Sequence, residues 1–139
     1  MRATLDTNTV ISGSLWFGPS HQLLKAAEDD IIQLFTTREL LAELEEVLSR
    51  PKFQPKLRDA NMTVQQVVEE YAEAVKIVVA ADIEPVVIRD PDDDAVIACA
   101  VASQSDVIVS GDKGVLDLGA YQNIRVLNAA ELLAELGIV

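Results

Sequence analysis

Cysteine is almost missing from this 139-residue chain, and the single thiol, Cys99, excludes an internal disulfide and a cysteine-rich zinc site. Cys99 lies inside the run Ala95-Val96-Ile97-Ala98-Cys99-Ala100 with nothing basic beside it, so it reads as a buried, inert thiol suited to a reducing cytoplasm. Histidine is as scarce: His21 has no second histidine and no nearby cysteine to complete a transition-metal site. Aromatic residues are only 4% of a chain that is 50% hydrophobic, so the core has to be built from Leu, Ile, Val and Ala, which fits α/β or helical packing and argues against a β-sandwich. No uninterrupted apolar run approaches the roughly 20 residues that span a bilayer, and Asp6 interrupts the N-terminus where a secretory leader would be apolar. The expectation is a cytoplasmic protein, neither secreted nor embedded, folded as one domain over residues 1–139.

Positive charge is the other shortage. Eleven Lys and Arg stand against 23 Asp and Glu, a net charge of −12, which argues against a surface that coats nucleic acid through counterion release. It does not exclude an enzyme acting on nucleic acid, because acids that converge on metal ions have part of their charge cancelled there. A basic partner is the other implication.

What is present has a clear order. Arg2 to Leu5 reads as a strand ending at Asp6, followed by Thr7-Asn8-Thr9, residues that favour caps and turns. Val10 to Phe17 reads as a short helix or irregular passage, and Pro19 opens a helix over Ser20 to Asp30. Ile31 to Thr36 is a second strand, and Thr37 caps a helix that runs to about Ser49. On that helix Leu40, Leu41, Leu44, Val47 and Leu48 form one apolar stripe, with Glu39 and Glu46 pointing outward. Glu43 and Glu45 fall at about ±100° from the stripe centre, so either reaches the edge of a buried site and periodicity does not choose between them. Arg50, Lys52, Lys56 and Arg58 are four of the eleven bases, gathered around Phe53 in a stretch broken by Pro51 and Pro55. Bases around an aromatic can grip phosphate and stack a nucleobase, and a solvated connector has the same composition.

Thr63 with Gln66 has capping-box spacing, and Val64, Val67, Val68, Tyr71, Val75 and Val78 predict a long amphipathic helix. Val86 to Ile88 reads as a short strand, Val107 to Val109 as a buried strand leading into Ser110-Gly111-Asp112, Ile124 to Leu127 as a strand, and Ala129 to Leu136 as a closing helix. Between them, Asp90-Pro91-Asp92-Asp93-Asp94 runs straight into the apolar segment at Ala95. Part of this cluster is explained by Asp90 as an N-cap, Pro91 at the first helical position, and acids favoured in a first turn. The alternation of strands and helices predicts an α/β fold, three layers in α/β/α order around a mostly parallel sheet of about four to five strands. Sites in such sheets form at the carboxyl ends of strands. Asp6 and Asp112 fall at such ends, and Asp94 opens a helix just beyond another. Carboxylates gathered there without histidine or cysteine are ligands for a hard divalent cation, Mg²⁺ or Mn²⁺, and phosphodiester hydrolysis is the natural reaction.

Four segments carry a resemblance. Leu5-Asp6-Thr7-Asn8-Thr9-Val10-Ile11-Ser12, Leu41 to Leu48 followed by Arg50-Pro51-Lys52-Phe53, Asp90 to Ala98, and Val109-Ser110-Gly111-Asp112 together resemble the PIN-domain family, and more narrowly its VapC-like toxin components of toxin–antitoxin pairs. The resemblance implies a ribonuclease that cuts single-stranded RNA with Mg²⁺ or Mn²⁺ held by Asp6, Glu43, Asp94 and Asp112. It implies supporting roles for Thr7, Asn8 and Ser110, with Asn8 steadying the site through hydrogen bonds. Its implied partners are a homodimer mate and a cognate antitoxin, whose arginine would enter the carboxylate cluster. Asp92 and Asp93 crowd Asp94, which makes Asp92 a supporting residue and the alternative ligand and leaves open whether Asp93, or Asp117 downstream, joins the site.

Three other classes fit less well. A receiver-like Mg²⁺-binding switch wants a lysine after a late strand, but Lys113 follows Asp112 directly. A haloacid-dehalogenase-type phosphatase wants a second aspartate where Asn8 stands. A PIN fold that has lost turnover and only binds RNA or protein is opposed by the presence of all four matched acids.

Overall fold

The computed structural model describes residues 1–84 and 91–138, with the side chains of residues 91 and 92 left undescribed. The strand expected at Val86–Ile88 and the capping role expected of Asp90 lie outside the described residues. In chain order the elements are β1 (Arg2–Leu5), α1 (Thr7–Leu15), α2 (Pro19–Glu28), β2 (Gln33–Thr36), α3 (Arg38–Leu48), a 3-10 turn over Pro51–Phe53, α4 (Gln54–Asp59), α5 (Val64–Ala74), β3 (Lys76–Ile77), α6 (Pro91–Ala102), β4 (Val107–Val109), α7 (Lys113–Leu116), β5 (Ala120–Tyr121), β6 (Ile124–Leu127) and α8 (Ala129–Leu136).

The strands form one sheet in the order β3-β2-β1-β4-β6-β5, parallel throughout except for β5 against β6. It has six described strands rather than the four or five expected, because β3 and β5 are two-residue edge strands with no periodicity of their own. Side-chain alternation along the central strands sorts the core into two faces. Ala3, Leu5, Val107 and Val109 point into a cluster with Val10, Leu23, Leu44, Val67 and Leu132, so α1, α2, α3, α5 and α8 cover that side. Phe35, Ile108 and Val126 point into the other cluster with Val96, Ile97, Cys99 and Val115, which α6 and α7 supply. The result is the three-layer α/β/α arrangement.

One long element is shorter than its pattern. The stripe from Val64 ends as a helix at Ala74, and Lys76 and Ile77 pair in parallel with Phe35 and Thr36 instead. Val75 and Val78 continue the helical spacing, but the open edge of β2 takes the segment, pairing its backbone with Phe35 and Thr36. The Thr63 capping box forms in both directions, with Gln66 N–H donating to Thr63 Oγ1 at 3.1 Å and Thr63 N–H to Gln66 Oε1 at 2.8 Å.

Candidate active site

Two neighbouring parallel strands set the site. β1 and β4 lie in register with Leu5 opposite Val109, so the residues that leave the sheet next, Asp6 and Ser110, emerge side by side. Asp6 N–H donates to Val109 O at 3.0 Å, which locks the two exits together. Asp6 is also the N-cap of α1: its Oδ1 accepts from Thr9 N–H at 2.8 Å, while its Oδ2 accepts from Ser110 Oγ at 2.5 Å. Ser110, fully buried, in turn accepts from Asp112 N–H at 3.0 Å. Asp112 caps α7 through Oδ1, which takes the Gly114 N–H at 2.7 Å. A carboxylate has about four lone-pair positions, so both acids keep acceptor capacity beyond these caps.

These residues open onto a cavity of about 220 Å³ whose wall also carries Thr7, Asn8, Glu43, Val47, Asp93 and Val96, with Arg50 and Lys52 at its edge. Four acids from four places in the chain therefore line one cavity: Asp6 after β1, Glu43 on α3, Asp93 on α6 and Asp112 after β4. Glu43 is half-buried and Glu45 exposed, so the packing of Leu40, Leu44, Val47 and Leu48 against the sheet makes the choice that periodicity left open. Thr37 fixes the start of that helix by accepting from Leu40 N–H at 3.1 Å.

On α6 the pocket takes Asp93, not the Asp94 expected from the sequence. Asp93 is buried in the wall, whereas Asp94, one position on and turned by about 100°, is half-buried and not in the lining. Within three adjacent acids, only the packing of Val96 and Ile97 reveals the register. Asp92 belongs to α6, but its side chain is outside the described residues. Asp117 is exposed at the far end of α7.

The predicted basic group divides. Arg50 and Lys52 edge the acidic cavity, Phe53 lines a neighbouring depression with Asn8 and Trp16, Lys56 packs its ammonium 5.1 Å from the Trp16 ring centroid, and Arg58 is exposed on α4. Sequence reasoning missed Trp16; an aromatic pair, Trp16-Phe17, just before Gly18-Pro19 was its only signal. His21 holds α1 to α2, with Nδ1 3.0 Å from Gly13 O, and takes no part in the acid cluster. Cys99 is buried, and burial pushes its thiol up to about 11, where it is a poor nucleophile.

All-oxygen donors suit a hard cation and not zinc. Among the described residues, no three His, Cys, Asp or Glu side chains stand close enough to form a ready-made metal cage. That spacing is compatible with magnesium, which keeps several waters and binds through one or two carboxylates rather than an all-protein cage.

The chain is an α/β domain whose cavity at the carboxyl edge of the parallel sheet is lined by carboxylates. A family model described as the PIN domain matches residues 2–114, a span that includes all four pocket acids, and the chain belongs to the PIN-domain family. No curated protein and no solved structure matches it. PIN domains are generally nucleases and typically use divalent metals. No helix among the described residues is long and apolar enough to cross a membrane.

Proposed function

We propose that this protein is a Mg²⁺- or Mn²⁺-dependent endoribonuclease that hydrolyses single-stranded RNA and serves as the toxin of a toxin–antitoxin pair. The observation that carries the reading is the meeting of Asp6, Glu43, Asp93 and Asp112 in one cavity edged by Arg50 and Lys52. These acids would hold the cation, with Asp93 taking the place that the family resemblance gives Asp94. A bound divalent cation supplies charge neutralisation on the phosphodiester and a water acidic enough to attack near neutral pH.

The chain's own groups do the rest. Arg50 and Lys52 draw the strand's phosphates to the edge of a cavity that would otherwise repel them. Ser110 holds the Asp6 carboxylate in one orientation and, through Asp112 N–H, keeps the two acids in fixed relation. Asn8 is exposed at the edge, where its amide can bond the sugar or base of the nucleotide being cut. A pocket carboxylate accepts the proton released as the water oxygen bonds to phosphorus and the ester oxygen leaves.

The toxin reading draws on the net charge of −12, which suits a basic antitoxin segment whose arginine enters the carboxylates. A homodimer in the cytoplasm completes it. A second reading, a silent PIN fold that binds RNA or protein through the same acids, draws on the lack of a preformed ligand cage among the described residues.

Incubating the purified protein with single-stranded RNA in Mg²⁺, Mn²⁺ or EDTA separates the two. Cleavage with either cation and none in EDTA is expected, and inertness under all three conditions would leave the silent reading. A short frame encoding a basic protein directly upstream of the gene is the expected genomic context; its absence would remove the toxin role and leave the nuclease.

A further inference from the structure

Beside the acidic cavity lies a second feature of different chemistry. Asn8 lines both the cavity and an open depression of about 470 Å³ whose other walls are Ile11, Ser12, Trp16 and Phe53. Trp16, the sole tryptophan of the chain, is 43% exposed. Each ring has a cation over it: Lys56 Nζ is 5.1 Å from the Trp16 centroid and Lys52 Nζ is 5.0 Å from that of Phe53.

We propose that Trp16 and Phe53, with Lys52 and Lys56, form a base-stacking subsite that holds unpaired nucleotides flanking the scissile phosphate. This rests on the nuclease reading and adds where the strand's bases are held and the side from which the strand enters. Three observations select a nucleic-acid strand as the occupant. The shelf is continuous with the acidic cavity through Asn8, so a strand on one reaches the other. The depression's own lining carries no acid in a chain of net charge −12, and the Lys52 and Lys56 ammonium groups over its two rings bring positive charge that complements phosphate. An ammonium held over an aromatic ring puts a phosphate partner and a stacking face within the span of one nucleotide, the combination by which single strands are bound without base pairing. A duplex fails there, because its bases are already stacked and its faces are hidden.

The sole tryptophan makes the test direct. The full-length Asp112→Asn protein, which keeps an N-cap acceptor but loses a pocket charge, is titrated in Mg²⁺ with an uncut single-stranded RNA of about ten nucleotides, within the ~4–16 that such surfaces engage. Quenching of Trp16 fluorescence that saturates with binding is expected, with little quenching by the same sequence as a duplex. Trp16→Ala should weaken binding about tenfold, the loss of one stacked base, and Trp16→Phe should restore most of it. Because Trp16 is surface-exposed, thermal melting shows that each variant is folded.

Binding without quenching, and equal affinity in Trp16→Ala, would overturn the subsite while wild-type cleavage of single-stranded RNA left the nuclease reading intact. Equal quenching by an abasic strand would also overturn it, since phosphates alone would then be bound. If an arginine-rich peptide quenched Trp16 and RNA did not, the shelf would belong to a protein segment and the subsite would be overturned. Absence of both RNA binding and cleavage would remove the nuclease reading and this inference together.

Discussion

Asp6 and Asp112 each cap a helix and face the cavity with the same carboxylate, so substitution at either has two separable effects. Asparagine caps about as well as aspartate, whereas alanine costs about 1 kcal/mol. Asp6→Asn should therefore melt close to wild type and lose cleavage, while Asp6→Ala loses both activity and a few degrees of stability. Calorimetry with a cleavage assay on the same samples checks it, and retained cleavage in Asp6→Asn would contradict a metal-binding role for Asp6. Ser110 bonds the Asp6 carboxylate, and in the proposed nuclease it would act through Asp6 rather than on the substrate. Ser110→Ala should lower turnover by roughly 10–100-fold, the range seen when an outer-shell partner is removed, and Ser110→Thr should restore much of it. Cys99 supplies a pH prediction. Its folded-state thiol is raised from 9.0 to about 11, so the thiol is protonated in both states at neutral pH and ionises first in the unfolded chain as pH rises. Stability should then fall between about pH 9 and 11, on the order of 2 kcal/mol, and the slope should be shallower in Cys99→Ala. At this scale Asp6 and Asp112 were legible as strand-end acids. The placement of Asp93 rather than Asp94 in the cavity wall was not, because neighbouring helical positions differ only in what the helix packs against, and Glu43 was singled out from Glu45 by the family resemblance and not by periodicity.

The site is held by the joints between elements. The parallel pairing of β1 with β4 brings Asp6 to Ser110, α3 brings Glu43 and α6 brings Asp93, so each element contributes one acid through its own packed face. The strands β1, β4 and β6 and the helix α8 agree with the ranges read from hydropathy, since each is a continuous apolar or amphipathic unit. The elements missed, β3, α4, α7 and β5, are two to six residues long and depend on tertiary context. The contact of α1 with α2 is especially tight. A Cβ on Gly13 would lie 2.7 Å from Ser20 O and 2.9 Å from Leu24 Cδ1. Backbone cannot yield as a flexible side chain does, so Gly13→Ala should cost about 1–3 kcal/mol by overpacking. A midpoint unchanged from wild type would show that the two helices are free to separate.

Over the whole molecule, four of the 23 acids line one cavity, and the bases Arg50 and Lys52 share its wall. A chain carrying mutually repelling carboxylates in one cavity should be stabilised by a cation that binds only the folded state, by RT ln(1 + [L]/Kd). Millimolar Mg²⁺ should raise the melting midpoint of the wild type and leave that of an Asp6→Asn, Asp112→Asn double variant nearly unchanged once ionic strength is matched. An equal rise in both would mean that the ion is not held by these acids. The three-layer fold was legible from the alternation of strands and helices, and the acid cluster at Asp92-Asp93-Asp94 from its abrupt meeting with apolar sequence. Of the shelf, Phe53 and its bases were legible and Trp16 was not, because it lies too far along the chain from Phe53 for any local pattern to join them. The most direct test of metal-dependent cutting by the pocket acids is cleavage of single-stranded RNA in Mg²⁺ by wild type and by Asp6→Asn, Asp93→Asn and Asp112→Asn proteins shown to be folded. Cutting by the wild type that EDTA abolishes and that each variant lacks is the predicted result; cutting undiminished in the variants would contradict it.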